Sequence, residues 1–116
     1  MITSLYPVLM SEDVHQSAQF FIDYFQFQET FRSDWYISLK NIESGFELAF
    51  IDSKHGTVPQ AYQSKASGLI INIEVEDVFM KNCVSKKKWS SFFPLRVKIL
   101  VSAISLWKRR VLFWLM

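Results

Sequence analysis

Residues 8–30 read VLMSEDVHQSAQFFIDYFQFQET, a stretch in which the spacing of apolar residues changes twice. The run that leads into it, Thr3–Met10, is short and apolar and stops at Ser11, Glu12 and Asp13, which predicts a strand. Pro7 has no N–H to give to a ladder, so that strand is expected at an edge or an irregularity. Asp13 then stands as a helix N-cap with Gln16 at capping-box spacing. Val14, Ala18, Phe21, Ile22 and Phe25 recur at helical spacing, while His15, Gln16, Gln19 and Asp23 fill the other face. That pattern predicts an amphipathic helix of about three turns.

Outward from this unit, Phe27–Phe31, Trp35–Leu39 and Phe46–Ile51 are strand candidates rich in aromatic and branched residues. Polar turns at Arg32–Asp34 and Asn41–Gly45 separate them. Their alternation predicts Phe46, Leu48 and Phe50 towards the helix, with Glu47 and Ala49 on the opposite face. Residues 53–67, with Gly56 and Pro59, predict a loop or linker. Leu69, Ile71, Ile73 and Val75 then alternate with Ile70, Asn72, Glu74 and Glu76, a strand packed on one face and mostly wet on the other. The expected class is α+β, in the order β-α-β-β-β followed by the start of another strand.

Length and composition agree with one domain: 116 residues, half of them apolar and 16% aromatic, which excludes a disordered chain. Cys83 is the single cysteine, so an internal disulfide is impossible and a reducing, cytoplasmic setting is expected. The N-terminal residues have neither a basic start nor an apolar run of signal-peptide length, and no membrane span is expected. The charges separate abruptly at Asp77. Residues 1–77 hold 4 basic against 11 acidic residues, a balance of −7; residues 78–116 hold 9 basic residues and no acid, a balance of +9. Each part calls for its own account.

The first part resembles the vicinal-oxygen-chelate superfamily, which includes glyoxalases, bleomycin-resistance proteins and extradiol dioxygenases. Residues 8–30 look like its opening strand, Asp-capped helix and exit. SDWYISLK (33–40) and FELAFID (46–52) look like its third and fourth strands, and GLIINIEVEDV (68–78) like the strand that begins a second repeat. The resemblance implies two β-α-β-β-β repeats whose curved mixed sheet encloses a small-molecule cleft, often in a homodimer. On that basis residues 1–116 form a single glyoxalase-like domain, with residues 1–55 as the first repeat and residues 65–116 as a degraded second repeat carrying a basic, aromatic tail.

By position, the family's first-strand His ligand falls near Tyr6 and its second-repeat His near Ile70, and neither side chain holds a divalent ion in the usual way. Glu47 matches a fourth-strand Glu ligand and is the only position-matched metal candidate. One carboxylate does not make a site, and a hydrogen-bonded Glu on a sheet face is the plainer account. No cofactor is expected, although the family leaves a divalent metal open. The cleft implied by the resemblance is lined by Tyr6, Val8, Trp35, Glu47, Ala49, Asn72 and Glu74. Spacing places no carboxylate partner for His15 or His55, so no catalytic residue is assigned. Trp35, Tyr36, Phe46 and Phe50 could line a pocket, but aromatics on alternating strands serve more often as core.

The last segment, VFMKNCVSKKKWSSFFPLRVKILVSAISLWKRRVLFWLM (78–116), departs from the family, whose second helix should interleave acidic and apolar residues. Taken literally, Lys86–Lys88 and Lys108–Arg110 beside Trp89, Phe92, Phe93 and Trp107 suit an anionic membrane surface or a nucleic acid. Leu95–Trp107, however, has no clean helical or strand period. The preferred reading is a one-base slip of the reading frame near codons 77–79. In the neighbouring frame each new codon takes its last two bases from the first two of the present codon, so Lys-rich stretches become Glu and Gln. With permitted codons, residues 79–94 become FYEKLVEQEEMEFIFP, residues 98–105 DFGQRHFI and residues 110–115 GFILVD. The last two strings look like the family's closing turn and strand.

Three functions follow as expectations. The first is a small-molecule binder akin to the bleomycin-resistance group, with a small organic ligand, a homodimeric partner and neither nucleic acid nor membrane. The second is a metal-dependent lyase or dioxygenase in which Glu47 joins ligands from elsewhere. The third is a basic-tail binder of anionic membrane or nucleic acid.

Overall fold

The computed structural model describes residues 1–76, 97–103 and 108–115. The chain divides into two compact units, Met1–Ala66 and Ser67–Met116. The second helix expected after Val78, the cluster Lys86–Lys88 with Trp89, Phe92 and Phe93, and also Cys83 and Trp107, lie outside the described residues.

The first unit is a small α+β fold: β1 (Val8–Ser11), α1 (Val14–Phe25), β2 (Phe27–Arg32), β3 (Tyr36–Asn41) and β4 (Glu47–Asp52). The strands form one curved, mixed sheet in the order β1-β4-β3-β2. β1 runs parallel to β4, and β3 is antiparallel to both of its neighbours. The parallel pair requires a crossover from β1, and α1 with β2 and β3 supplies it.

Asp13 starts the helix as expected, its side chain accepting a hydrogen bond from the Gln16 backbone N–H at 3.0 Å. The other half of the capping box is replaced. The Asp13 N–H donates to Ser11 Oγ (3.1 Å), and Ser11 Oγ also meets Ser17 Oγ at 2.7 Å in the buried interior. Val14, Ala18, Phe21 and Phe25 are buried as the periodicity predicts, and Phe20 and Ser17 join them. The helix ends at Gln26, which holds a left-handed backbone (φ 58°) and returns its N–H to the Phe21 carbonyl. That conformation costs a residue with a Cβ about 1 kcal/mol or more, and glycine nothing. Gln26→Gly is therefore expected to stabilise the unit by roughly 0.5–1 kcal/mol. The check is a higher urea midpoint at an unchanged slope.

Two boundaries differ from the sequence expectation. β1 begins at Val8, not Thr3, because Pro7 cannot donate; its carbonyl instead accepts from the Ala49 N–H at 3.1 Å. Phe46 is not in the core. It lies before β4 in the hairpin closed by the Asn41 N–H to Phe46 carbonyl bond, and it is 73% exposed. Leu48 and Phe50 do face the helix, and the Phe50 and Phe21 rings sit 5.7 Å apart. The core is completed by Leu9, Ile37 and Leu39 from the same sheet face.

Residues 53–66 are more than a linker. Val58 and Ala66 are buried, a 3-10 turn forms at Gln60–Tyr62, and the Ala66 N–H donates to the Met10 carbonyl at 2.8 Å. The loop thus satisfies part of the outer edge of β1.

In the second unit, β5 (Leu69–Glu76) pairs with β7 (Lys108–Leu115), and β7 with β6 (Val97–Ala103), all antiparallel. A strand forms at Val97–Ala103, within a stretch whose sequence shows no clean helical or strand period. Its run of branched residues, Val97, Ile99 and Val101, favours extended backbone, and β7 supplies its hydrogen-bonding partner. On β5, Ile71 and Ile73 are half-buried while Ile70, Asn72 and Glu74 are exposed, following the alternation in the sequence.

Candidate functional site

Because side chains alternate along a strand, the face of the first sheet turned away from α1 can be read from the register. Val8 stands opposite Ala49, Tyr36 opposite Ile51, Ser38 opposite Ala49 and Lys40 opposite Glu47. Val8, Glu47 and Ala49, three of the residues expected to line a cleft, therefore share one face. Ala49 is fully buried at its centre, Glu47 is half-buried and Val8 is exposed. Asn72 and Glu74 belong to the second unit, on alternate positions of β5.

An irregularity in β2 adds a residue that the sequence pattern did not reveal. Glu29 pairs with Leu39, yet Phe31 pairs with Ser38, so Thr30 is an extra residue, a bulge. A regular strand would place Phe31 on the same side as Glu29 and Leu39. The bulge turns it to the opposite face, where its ring lies 6.1 Å from that of Tyr36. The ring of Trp35 lies 5.8 Å from that of Tyr36 and stacks nearly parallel (7°) on His55, with ring centres 3.8 Å apart. Phe31 and Tyr36 thus stand together beside the small side chains of Ser38 and Ala49.

His55 is held by more than this stack. Its Nδ1 accepts from the Thr57 backbone N–H (3.3 Å) and lies 2.9 Å from Thr57 Oγ1. The N–H contact requires a bare Nδ1, so in the neutral ring the proton is on Nε2. His15, on the helix, meets Arg32 Nη2 through its Nδ1 at 2.8 Å, and Arg32 also pairs with Glu29. Neither imidazole has a carboxylate hydrogen-bonded to it among the described contacts, so neither is placed as a catalytic base.

Glu47 accepts a hydrogen bond from the hydroxyl of Ser4. Among the described residues, no three His, Cys, Asp or Glu side chains come together as a metal-holding group. Glu47 with the Ser4 hydroxyl beside it offers one carboxylate and one hydroxyl, whereas a divalent ion is usually held by several carboxylate, imidazole or thiolate donors. Among the described residues no helix is long and apolar enough to cross a membrane.

Tyr36 carries the perturbed hydroxyl of this face. Burial pushes its pKa above the usual tyrosine value, the hydrogen bond and charge of Tyr6 push it further, and a hydrogen bond with Ser38 opposes them. A raised pKa means that the fold favours the neutral phenol. Its contribution to stability is complete below the ordinary pKa of about 10 and is lost as pH rises through the folded value. Tyr6→Phe is expected to move the Tyr36 titration to lower pH. Alkaline absorbance titration, with Tyr36→Phe to assign the step, measures this; an unmoved step would show that Tyr6 does not act on it.

The chain matches no family model and no curated protein.

Proposed function

We propose that the first unit is one glyoxalase-like β-α-β-β-β module and that its sheet face opposite α1 binds a small organic molecule, in the manner of the bleomycin-resistance group. The carrying observation is the content of that face. The Phe31–Tyr36 pair stands beside small residues, with the polar atoms of Tyr36, Ser38 and Glu47 on the same side and the Trp35 ring 5.8 Å from that of Tyr36. Aromatic walls with a few directed polar groups are the usual make-up of a ligand site. The order β1-β4-β3-β2, with β1 parallel to β4, supports the module assignment.

The second unit differs from that module in its pairing. In the first unit the opening strand pairs its last strand in parallel; in the second, β5 pairs β7 antiparallel. The ligand is expected to be planar, with a hydrogen-bonding group for Glu47. The protein is taken to act by binding, in a homodimer, without a resident metal.

Native mass spectrometry of the full chain tests the proposal. A bound small molecule in the wild type, lost in Tyr36→Phe and Glu47→Gln variants that keep their helical circular dichroism, is the expected result. Stoichiometric metal by elemental analysis, or a bound mass indifferent to both substitutions, would refute it.

A further inference from the structure

The segment ahead of β1 lies against the same face that the proposed ligand would use. Residues 1–7 form no regular structure, and Met1, Ile2 and Leu5 are each more than 80% exposed. The segment nevertheless touches the two groups on that face best suited to a ligand. The Ser4 hydroxyl donates to the Glu47 carboxylate, and Tyr6 helps to raise the pKa of Tyr36. Immediately after them, the Pro7 carbonyl is fixed by the Ala49 N–H at 3.1 Å.

We infer that Ser4–Tyr6 is a displaceable strap, anchored at Pro7, which occupies Glu47 until a ligand takes its place. The inference rests on the binding proposal for its purpose, but the strap itself follows from these contacts. A permanent brace would be expected to bury the apolar side chains it carries, because burial supplies most of the energy that holds a segment down. Here Ile2 and Leu5 stay in water, Tyr6 is 38% exposed, and Ser4 is held by one hydrogen bond to the half-buried Glu47. Such hydrogen bonds exchange readily with water, since their net value is a small difference between protein and solvent partners. Segments of this kind open first and at low cost. Pro7 fixes its own φ, so opening about this point moves residues 4–6 away while leaving the β1–β4 pairing in place.

The strap also explains why the one carboxylate on this face is engaged from within the chain. A ligand that takes the place of Ser4 must offer Glu47 a hydrogen-bond donor beside the cross-strand Lys40.

Carboxyl footprinting of the full chain tests this without any ligand. The chain is treated with a water-soluble carbodiimide and glycine ethyl ester, and modification of Glu47 is read by mass spectrometry against exposed Glu43. The Ser4→Ala/Tyr6→Phe variant is expected to raise the Glu47:Glu43 ratio roughly five-fold, the factor for losing a hydrogen bond of ordinary strength. An unchanged ratio overturns the strap. Should the double variant lose its helical circular dichroism, Ser4→Ala alone decides, because that substitution lies outside every strand and helix and removes only the Glu47 contact. A raised ratio with no bound mass in native spectra would leave the strap standing and sink the binding proposal. A raised ratio together with stronger retention of a bound mass would support both.

Discussion

Phe50→Ala is expected to abolish the cooperative folding of the first unit. Phe50 is fully buried, lies in register between Leu9 of β1 and Ile37 of β3, and packs its ring 5.7 Å from that of Phe21. It therefore joins both neighbouring strands to the helix. Truncating a buried Phe to Ala costs about 3–5 kcal/mol, through lost burial and the cavity left behind. Whole domains have roughly 5–15 kcal/mol to lose, and a unit of this size stands near the lower end. The far-UV spectrum at room temperature should lose its helical signal, whereas Phe50→Leu should retain it with a lower melting temperature. A Phe50→Ala chain that melts cooperatively within a few degrees of the wild type would contradict the central place given to this ring.

The second large effect is expected from the gene. If the frame slips near codons 77–79, restoring the neighbouring frame replaces the acid-free tail with an amphipathic helix followed by strands. The new helix would give the second unit an apolar face to bury. Even 2–3 kcal/mol of added stability corresponds to a rise on the order of 10 °C in melting temperature for a chain of this length. Differential scanning calorimetry of both chains, after the DNA has been sequenced, provides the measurement. A restored chain that melts no higher, or a gene with no such frame, would remove the proposal that residues 78–116 are a misread second repeat.

What could be read from the sequence was local. The Asp13 cap, the stripe Val14–Ala18–Phe21–Phe25 and the strand alternation around Leu48 and Phe50 all depend on neighbours within a few residues, and they emerge where expected. Phe46 was misplaced because alternation does not say where a hairpin ends; the Asn41–Phe46 bond puts it in the turn. The stack of Trp35 on His55, the contact of Ser4 with Glu47 and the influence of Tyr6 on Tyr36 join residues far apart in the chain, and no local period announces them. Phe31 was missed for a different reason. Its side depends on a single extra residue, Thr30, and strict alternation assigns it to the wrong face.

That extra residue matters at the rim of the sheet as well as on its face. β2 is the outermost strand on its side of the first sheet. A straight incoming strand must match donor to acceptor along its whole length, yet the spacing of those groups jumps between Glu29 and Phe31. A newcomer can align with the residues on one side of Thr30 or with those on the other, but not with both. The kink that turns a phenylalanine over thus also makes this rim a poor template for a straight strand from another copy of the chain.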